Sequence, residues 1–366
     1  MVSPPGNCIK DLATLGYCVI PVLSEAEAEN LNQRVWSEYI EKAWPGCKRD
    51  DRSNWAETFP QQNNYGLLGG RVGQIQALWD LRQDPRIIAI FAKIWGTNEL
   101  IVSMEGISLV CPPEIKQWYF EYWPYLSQQV GQKGCVSPPN FVCESSIETK
   151  PYMIRGQVLF EDSFGGDGGF FCIPGSHREF NAFAPLFEEK LKELIKGPHS
   201  WEEQMRIRRE YIFNFFKKKD ADGNPYRIQH VIARRGSLIV WDARVIHWNQ
   251  HPSLDRPYCN PPRVQMVAYL CYVPKKRLTE KAKETRKQAF NEGCATTHDP
   301  AFPELLREET MRNGRVPYSK PSDYVFPKIV LGDLGHQLLG IGQAESAEQE
   351  RRAEDAIHRV ARGNIL

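Results

Sequence analysis

The stretch that decides the fold is Gly165-Gly-Asp-Gly-Gly-Phe-Phe-Cys-Ile-Pro-Gly-Ser-His-Arg-Glu-Phe180. Its glycines permit positive φ and a tight turn. Phe170, Phe171, Cys172 and Ile173 form an apolar run of the length of a buried strand. Pro174-Gly175 then turns the chain so that Ser176 and His177 project. A polar side chain just past a buried strand is well placed to line a pocket, because rigid strands position loop groups. On these residues alone, an ordinary turn carrying a surface histidine fits equally well. The glycines do not form a phosphate loop, since no Lys-Ser/Thr and no helix start follows them.

Other strand patterns lie on both sides. Arg155 to Glu161, Gly236 to His247 and Arg263 to Val273 are apolar runs bounded by turn residues, and Leu100 to Ser103 and Ile107 to Cys111 read the same way. Near the N-terminus a short strand pattern, Leu15 to Pro21, precedes Ser24-Glu-Ala-Glu27, a capping box that starts a helix carrying Ala28, Leu31, Val35, Tyr39 and Ala43. Residues 47 to 72 read as a loop. Ile75 to Trp95 reads as two helices broken at Asp84-Pro85, and Phe187 to Lys219 as a helical excursion with basic runs that form a solvated face. Residues 129 to 150 read as an insertion loop. One domain over 1–342, followed by a charged helix at 343–366, is the expected organisation. Several short strands between turns, flanked by helices, predict a mainly β fold: a sandwich or barrel of the cupin-like jelly-roll kind, the double-stranded β-helix. A pocket between the sheets is the expected ligand site.

Charges nearly cancel, 46 basic against 45 acidic residues, so nothing pushes the chain toward nucleic acid or membrane. No apolar run approaches the roughly 18 residues a membrane span needs. No signal peptide is visible. The ten cysteines lack a CxxC pair, which predicts reduced thiols in a cytoplasmic setting. The expected partner is a small molecule or another protein, with no prediction of oligomeric state.

The Pro174-Gly-Ser-His177 turn after a glycine-rich loop, and Trp241-Asp-Ala-Arg-Val-Ile-His247 followed by Arg263, resemble the phytanoyl-CoA dioxygenase family. Gly16-Tyr-Cys-Val-Ile-Pro is similar to that family's opening, and Leu78-Trp-Asp-Leu-Arg82 and Ala295-Thr-Thr-His298-Asp-Pro resemble one branch of it. The family comprises Fe(II)/2-oxoglutarate-dependent oxygenases on a double-stranded β-helix. The resemblance implies that iron is held by an early His-x-Asp pair and a distal histidine, leaving open positions for cosubstrate. It maps the distal ligand onto His247 and the partner of the 2-oxoglutarate carboxylate onto Arg263, a role suited to a forked guanidinium. His177 would support the pocket mouth, with Gln157 and Trp241 in the pocket.

The proximal pair is missing. The histidines stand at 177, 199, 230, 247, 251, 298, 336 and 358, so none precedes the turn. The nearest counterpart of the proximal motif is Trp123-Pro-Tyr125-Leu-Ser127-Gln128, with tyrosine for histidine and serine for aspartate. A phenol must lose a proton near pH 10 before it binds metal, and a serine hydroxyl stays neutral. The expected function is therefore a metal-independent pseudo-oxygenase, a binding or structural protein or non-oxidative catalyst. No cofactor is expected, and His247, Tyr125 and Arg263 are the polar pocket groups, with His247 as candidate acid or base. Tyr125 and Trp123 would plug the space that metal and cosubstrate would occupy, and Ser127 would line the same pocket. The alternative is an active hydroxylase with Fe(II) and 2-oxoglutarate, its metal held by His177, Glu179 and His247. Asp242 reads as a turn carboxylate.

Overall fold

The computed structural model describes residues 8–60, 68, 70–116, 153–220, 223–257, 259–307 and 327–341. A six-stranded antiparallel sheet runs in the order β1 (Tyr17–Pro21), β7 (Ser237–Asp242), β4 (Ile154–Leu159) and β9 (Gln265–Pro274). The far edge of β9 is shared by β2 (Leu100–Val102) and β3 (Ile107–Val110). A second sheet has the order β6 (Gln229–His230), β5 (Gly169–Cys172), β8 (His247–Gln250).

Side chains alternate across a strand, and the two faces of the large sheet divide accordingly. On β7, Leu238 and Val240 join the core under the helices, whereas Ile239 and Trp241 join an apolar layer with Phe170 and Cys172 of the second sheet. On β9, Met266, Ala268 and Leu270 lie on the helix side, and Val267 and Tyr269 between the sheets. Both faces are covered, which is why these strands read as unbroken apolar runs.

The helices over the large sheet form where their caps predict. Ser24 Oγ accepts from Glu27 N at 3.2 Å and Glu27 Oε2 accepts from Ser24 N at 2.7 Å, closing the capping box of Glu25–Val35. Asp84 caps Pro85–Trp95, which ends at Gly96 with φ 66°. Three expectations need correction. Residues 47–72 are not all loop: Trp55–Thr58 is helical, and the buried Trp55 ring stacks on Trp36 at 5.4 Å. The helical excursion begins at Phe180 rather than Phe187, because Phe180, Phe183, Phe187 and Leu191 already share one buried face. Finally, the cysteines are not all free thiols. The helix Cys8–Thr14 folds back on β1 and joins Cys8 to Cys18, with 5.4 Å between their Cα atoms. That pairing comes from a helix–strand contact that no cysteine spacing announces.

Among the described residues no helix is long and apolar enough to cross a membrane. The expected insertion (129–150) and terminal helix (343–366) lie outside the described residues.

Candidate functional site between the sheets

The Pro174–His177 turn works as a clamp on the start of β8. Gly175, at φ 79°, donates its N–H to Leu15 O at 2.8 Å. Ser176 Oγ accepts from Ile246 N at 2.9 Å. His177 is buried rather than on the surface, and its Nε2 bonds the Ala13 carbonyl at 3.1 Å. Burial holds its pKa below the usual value. The turn thus ties the N-terminal segment to the residue just before His247.

His247 stands opposite Cys172 and is 1% exposed. Its Nδ1 donates to Val245 O at 2.7 Å, so Nε2 carries the lone pair and accepts the Trp241 indole N–H at 3.2 Å. Phe170 packs against both rings, at 4.6 Å from Trp241 and 5.7 Å from His247. Burial, and then the positive charge of Arg155, push the His247 pKa down to about 3, so the ring is neutral near pH 7.

β4 completes this wall. Its alternation sends Arg155 and Gln157 inward, Arg155 between Trp241 and Cys271, Gln157 between Ile239 and Tyr269. The Arg155 guanidinium lies 5.4 Å from the Trp241 ring centre and bonds Glu105 Oε1 at 3.1 Å. Glu105 also accepts from Ser103 Oγ at 3.0 Å. Burial raises the Glu105 pKa, against the opposing pull of Arg155. Gln157 is 2% exposed, and its Oε1 has no hydrogen-bond partner among the described residues. Across the gap Asn249 Nδ2 donates to Tyr269 Oη at 2.9 Å. His298, ringed by protein, has its pKa pushed well down by burial, then by Arg155 and His247. Its loop is held by Thr296, which donates its N–H to Met104 O at 2.9 Å.

Of the expected pocket residues, the structure brings His247, Trp241 and Gln157 to this wall. It places Arg263 apart from them, bidentate on Asp167: Nε to Oδ2 and Nη2 to Oδ1, both at 2.8 Å. Asp242 is the turn carboxylate expected of it, accepting from the backbone N–H of Arg244 at 2.9 Å and pairing with that guanidinium at 2.7 Å. Trp123, Tyr125 and Ser127 lie outside the described residues. The alternative ligand set of His177, Glu179 and His247 is not brought together. His177 faces Ala13, and Glu179 binds Lys218 Nζ at 2.8 Å and Tyr226 Oη at 3.2 Å. Arg155 and Glu105 were not anticipated. The signal for Arg155 was present, since it shares the face of Gln157 and Leu159 two and four residues on.

These residues do not fit an iron ion or 2-oxoglutarate. The free lone pair of His247 is taken by Trp241 and the fork of Arg263 by Asp167. Among the described residues no group of three His, Cys, Asp or Glu side chains is arranged around a metal position.

No family model matches the chain. A curated relative, Ava biosynthesis cluster protein O of Aspergillus versicolor, is 26% identical over 264 residues, 72% of this chain and 76% of that one. Similar solved structures include HygX from Streptomyces hygroscopicus with nickel and 2-oxoglutarate bound, at TM-score 0.45 and 15% identity, covering 75% of this chain and 88% of HygX. AviO1 from Streptomyces viridochromogenes Tue57 gives TM-score 0.40 and 11% identity over 74% of this chain and 95% of AviO1. The non-heme alpha ketoglutarate dependent carbocyclase SnoK from nogalamycin biosynthesis gives 0.42 and 14%, over 74% of this chain and 86% of SnoK.

Proposed function

We propose that this chain is a metal-independent pseudo-oxygenase: a double-stranded β-helix protein, similar to the phytanoyl-CoA dioxygenases, that binds a small molecule between its sheets. The observation that carries this reading is the hydrogen bond from Trp241 Nε1 to His247 Nε2 at 3.2 Å. Nδ1 is committed to Val245 O, so a metal would have to displace the indole to reach the ring. The absence of any histidine before His177 supports the same reading, as does the resemblance, which aligns Tyr125 and Ser127 with the family's proximal ligands. The relative belongs, by its name, to a biosynthesis cluster, which supports a small biosynthetic molecule as the ligand.

In this reading Arg155, Gln157 and His247 form the polar floor of the pocket. Neutral His247 acts as a hydrogen-bond acceptor once the ligand displaces Trp241. The test is anaerobic reconstitution with Fe(II), followed by iron analysis and measurement of succinate formed from 2-oxoglutarate. The expected result is no retained iron and no succinate above background. Stoichiometric iron that disappears in His247→Ala would overturn the proposal.

A further inference from the structure

One edge of the second sheet is open. Among the described residues no strand lies beyond β6, and the segment Arg227-Ile-Gln-His-Val-Ile232 that carries it runs along the surface. We infer that this edge is a self-pairing surface: β6 of one chain adds antiparallel to β6 of a second copy, about a two-fold axis at His230.

The backbone directions allow this pairing. Val231 donates its N–H to Phe170 O at 2.9 Å, and Ala233 O accepts from Ser163 N at 2.9 Å. Residues 231 and 233 therefore turn their polar groups into the protein. In an antiparallel ladder the direction alternates from one residue to the next, so Ile228, His230 and Ile232 turn theirs outward. Of these outward groups, only the His230 carbonyl has a partner among the described residues. That partner is the exposed side-chain amide of Gln229 beside it, a contact that an incoming strand replaces.

The side chains fit the same pairing. Ile228 and Ile232 are 54% and 46% exposed. Exposed edges are normally blunted by lysine, proline or an inward-pointing charge, and from 228 to 232 this edge carries none of them. An axis through His230 sets Ile228 opposite Ile232 of the second copy, and the same pair repeats on the other side of the axis. Opposed β-branched side chains are favourable cross-strand pairs, and a patch that meets itself is the geometry of a two-fold dimer. A slip of one residue would set Ile228 opposite Val231, whose side chain points between the sheets.

No like charges meet at the axis. Burial holds the His230 pKa below its usual value, against the opposing Gly168 carbonyl and Asp167, so both rings are neutral near pH 7. Each ring lies flat on its own Phe171 at 4.3 Å. The pairing fuses two three-stranded sheets into one of six, in the order β8-β5-β6-β6-β5-β8. It adds a partner strand by main-chain bonds, with side chains setting the register.

Sedimentation velocity of the full chain, from about 1 µM to about 300 µM, is the measurement. The parent should pass from monomer to dimer across that range. Ile228→Asp and Ile232→Lys, each alone, set a charge against isoleucine and should raise the dissociation constant about tenfold or more. The double variant sets a carboxylate against an ammonium twice in the two-fold register, while within one chain the two stay four residues apart. Its dissociation constant should return to within about threefold of the parent's. If a charged variant loses its folded circular-dichroism signal, Ile232→Pro replaces it. That change deletes an N–H its own chain does not use and should leave a folded monomer. A parent that stays monomeric throughout, as an edge reserved for a strand of another protein would, overturns the inference. So do single variants that dimerise as tightly as the parent, or a double variant no tighter than the singles.

Discussion

Acidification should unfold this protein partly through one imidazole, and His247→Gln isolates it. In the folded chain the His247 pKa lies at about 3, against 6.5 for the unfolded side chain. Below pH 6.5 the unfolded histidine takes up a proton that the buried ring refuses. Protons therefore draw the equilibrium toward the unfolded state, and the stability present above pH 6.5 is lost as pH falls toward 3. Between pH 7 and pH 5 this linkage amounts to about 2 kcal/mol, at roughly 1.4 kcal/mol per pH unit. The ring is 1% exposed, so solvent screening does not reduce that figure. Urea unfolding of parent and variant at pH 7, 6 and 5 provides the measurement. The variant starts less stable because it loses the Trp241 and Val245 contacts, but it should lose about 2 kcal/mol less on acidification. His251 and the other buried histidines are common to both proteins and cancel. An acid loss identical in parent and variant would refute the reasoning, because His247 would then titrate alike folded and unfolded.

Two further outcomes follow from other contacts. Asp242→Ala leaves Arg244 buried without its carboxylate, in a pair whose side chains are 9% and 4% exposed. Breaking it should cost about 3–5 kcal/mol in chemical denaturation, and a cost under about 1 kcal/mol, typical of an exposed pair, would show the pair to be solvated. Cys8→Ser removes a cross-link between residues ten apart in sequence; an oxidised sample should lose about 3 kcal/mol, while a sample kept in reductant should match the variant.

The sequence carried the fold further than the site. The runs at 154–159, 237–242 and 265–274 were legible because each strand is buried on both faces, and the capping box at Ser24–Glu27 marked a helix start through local chemistry alone. His247, Trp241 and Gln157 could be placed together because a family resemblance gave their order. Two features escaped. Arg263 invited an external partner, yet its partner, Asp167, lies 96 residues earlier in a glycine loop, a pairing no local pattern encodes. Glu105 is an acid in an otherwise apolar stretch, and it is tolerated there because Arg155, fifty residues on, bonds it. Both depend on strands meeting across the sheet, and that information is not local.

The position of β9 has a consequence for how the chain is made. It is the last of the six strands in sequence, yet it sits between β4 and the pair β2 and β3. During synthesis, which exposes the N-terminal part first, those three earlier strands wait with bare hydrogen-bonding edges until residue 274 has emerged. Unpaired edges are templates for pairing with a neighbouring chain. The nascent protein thus passes through a long interval in which most of its core is built and its main sheet cannot close, an interval in which a chaperone has the most to protect.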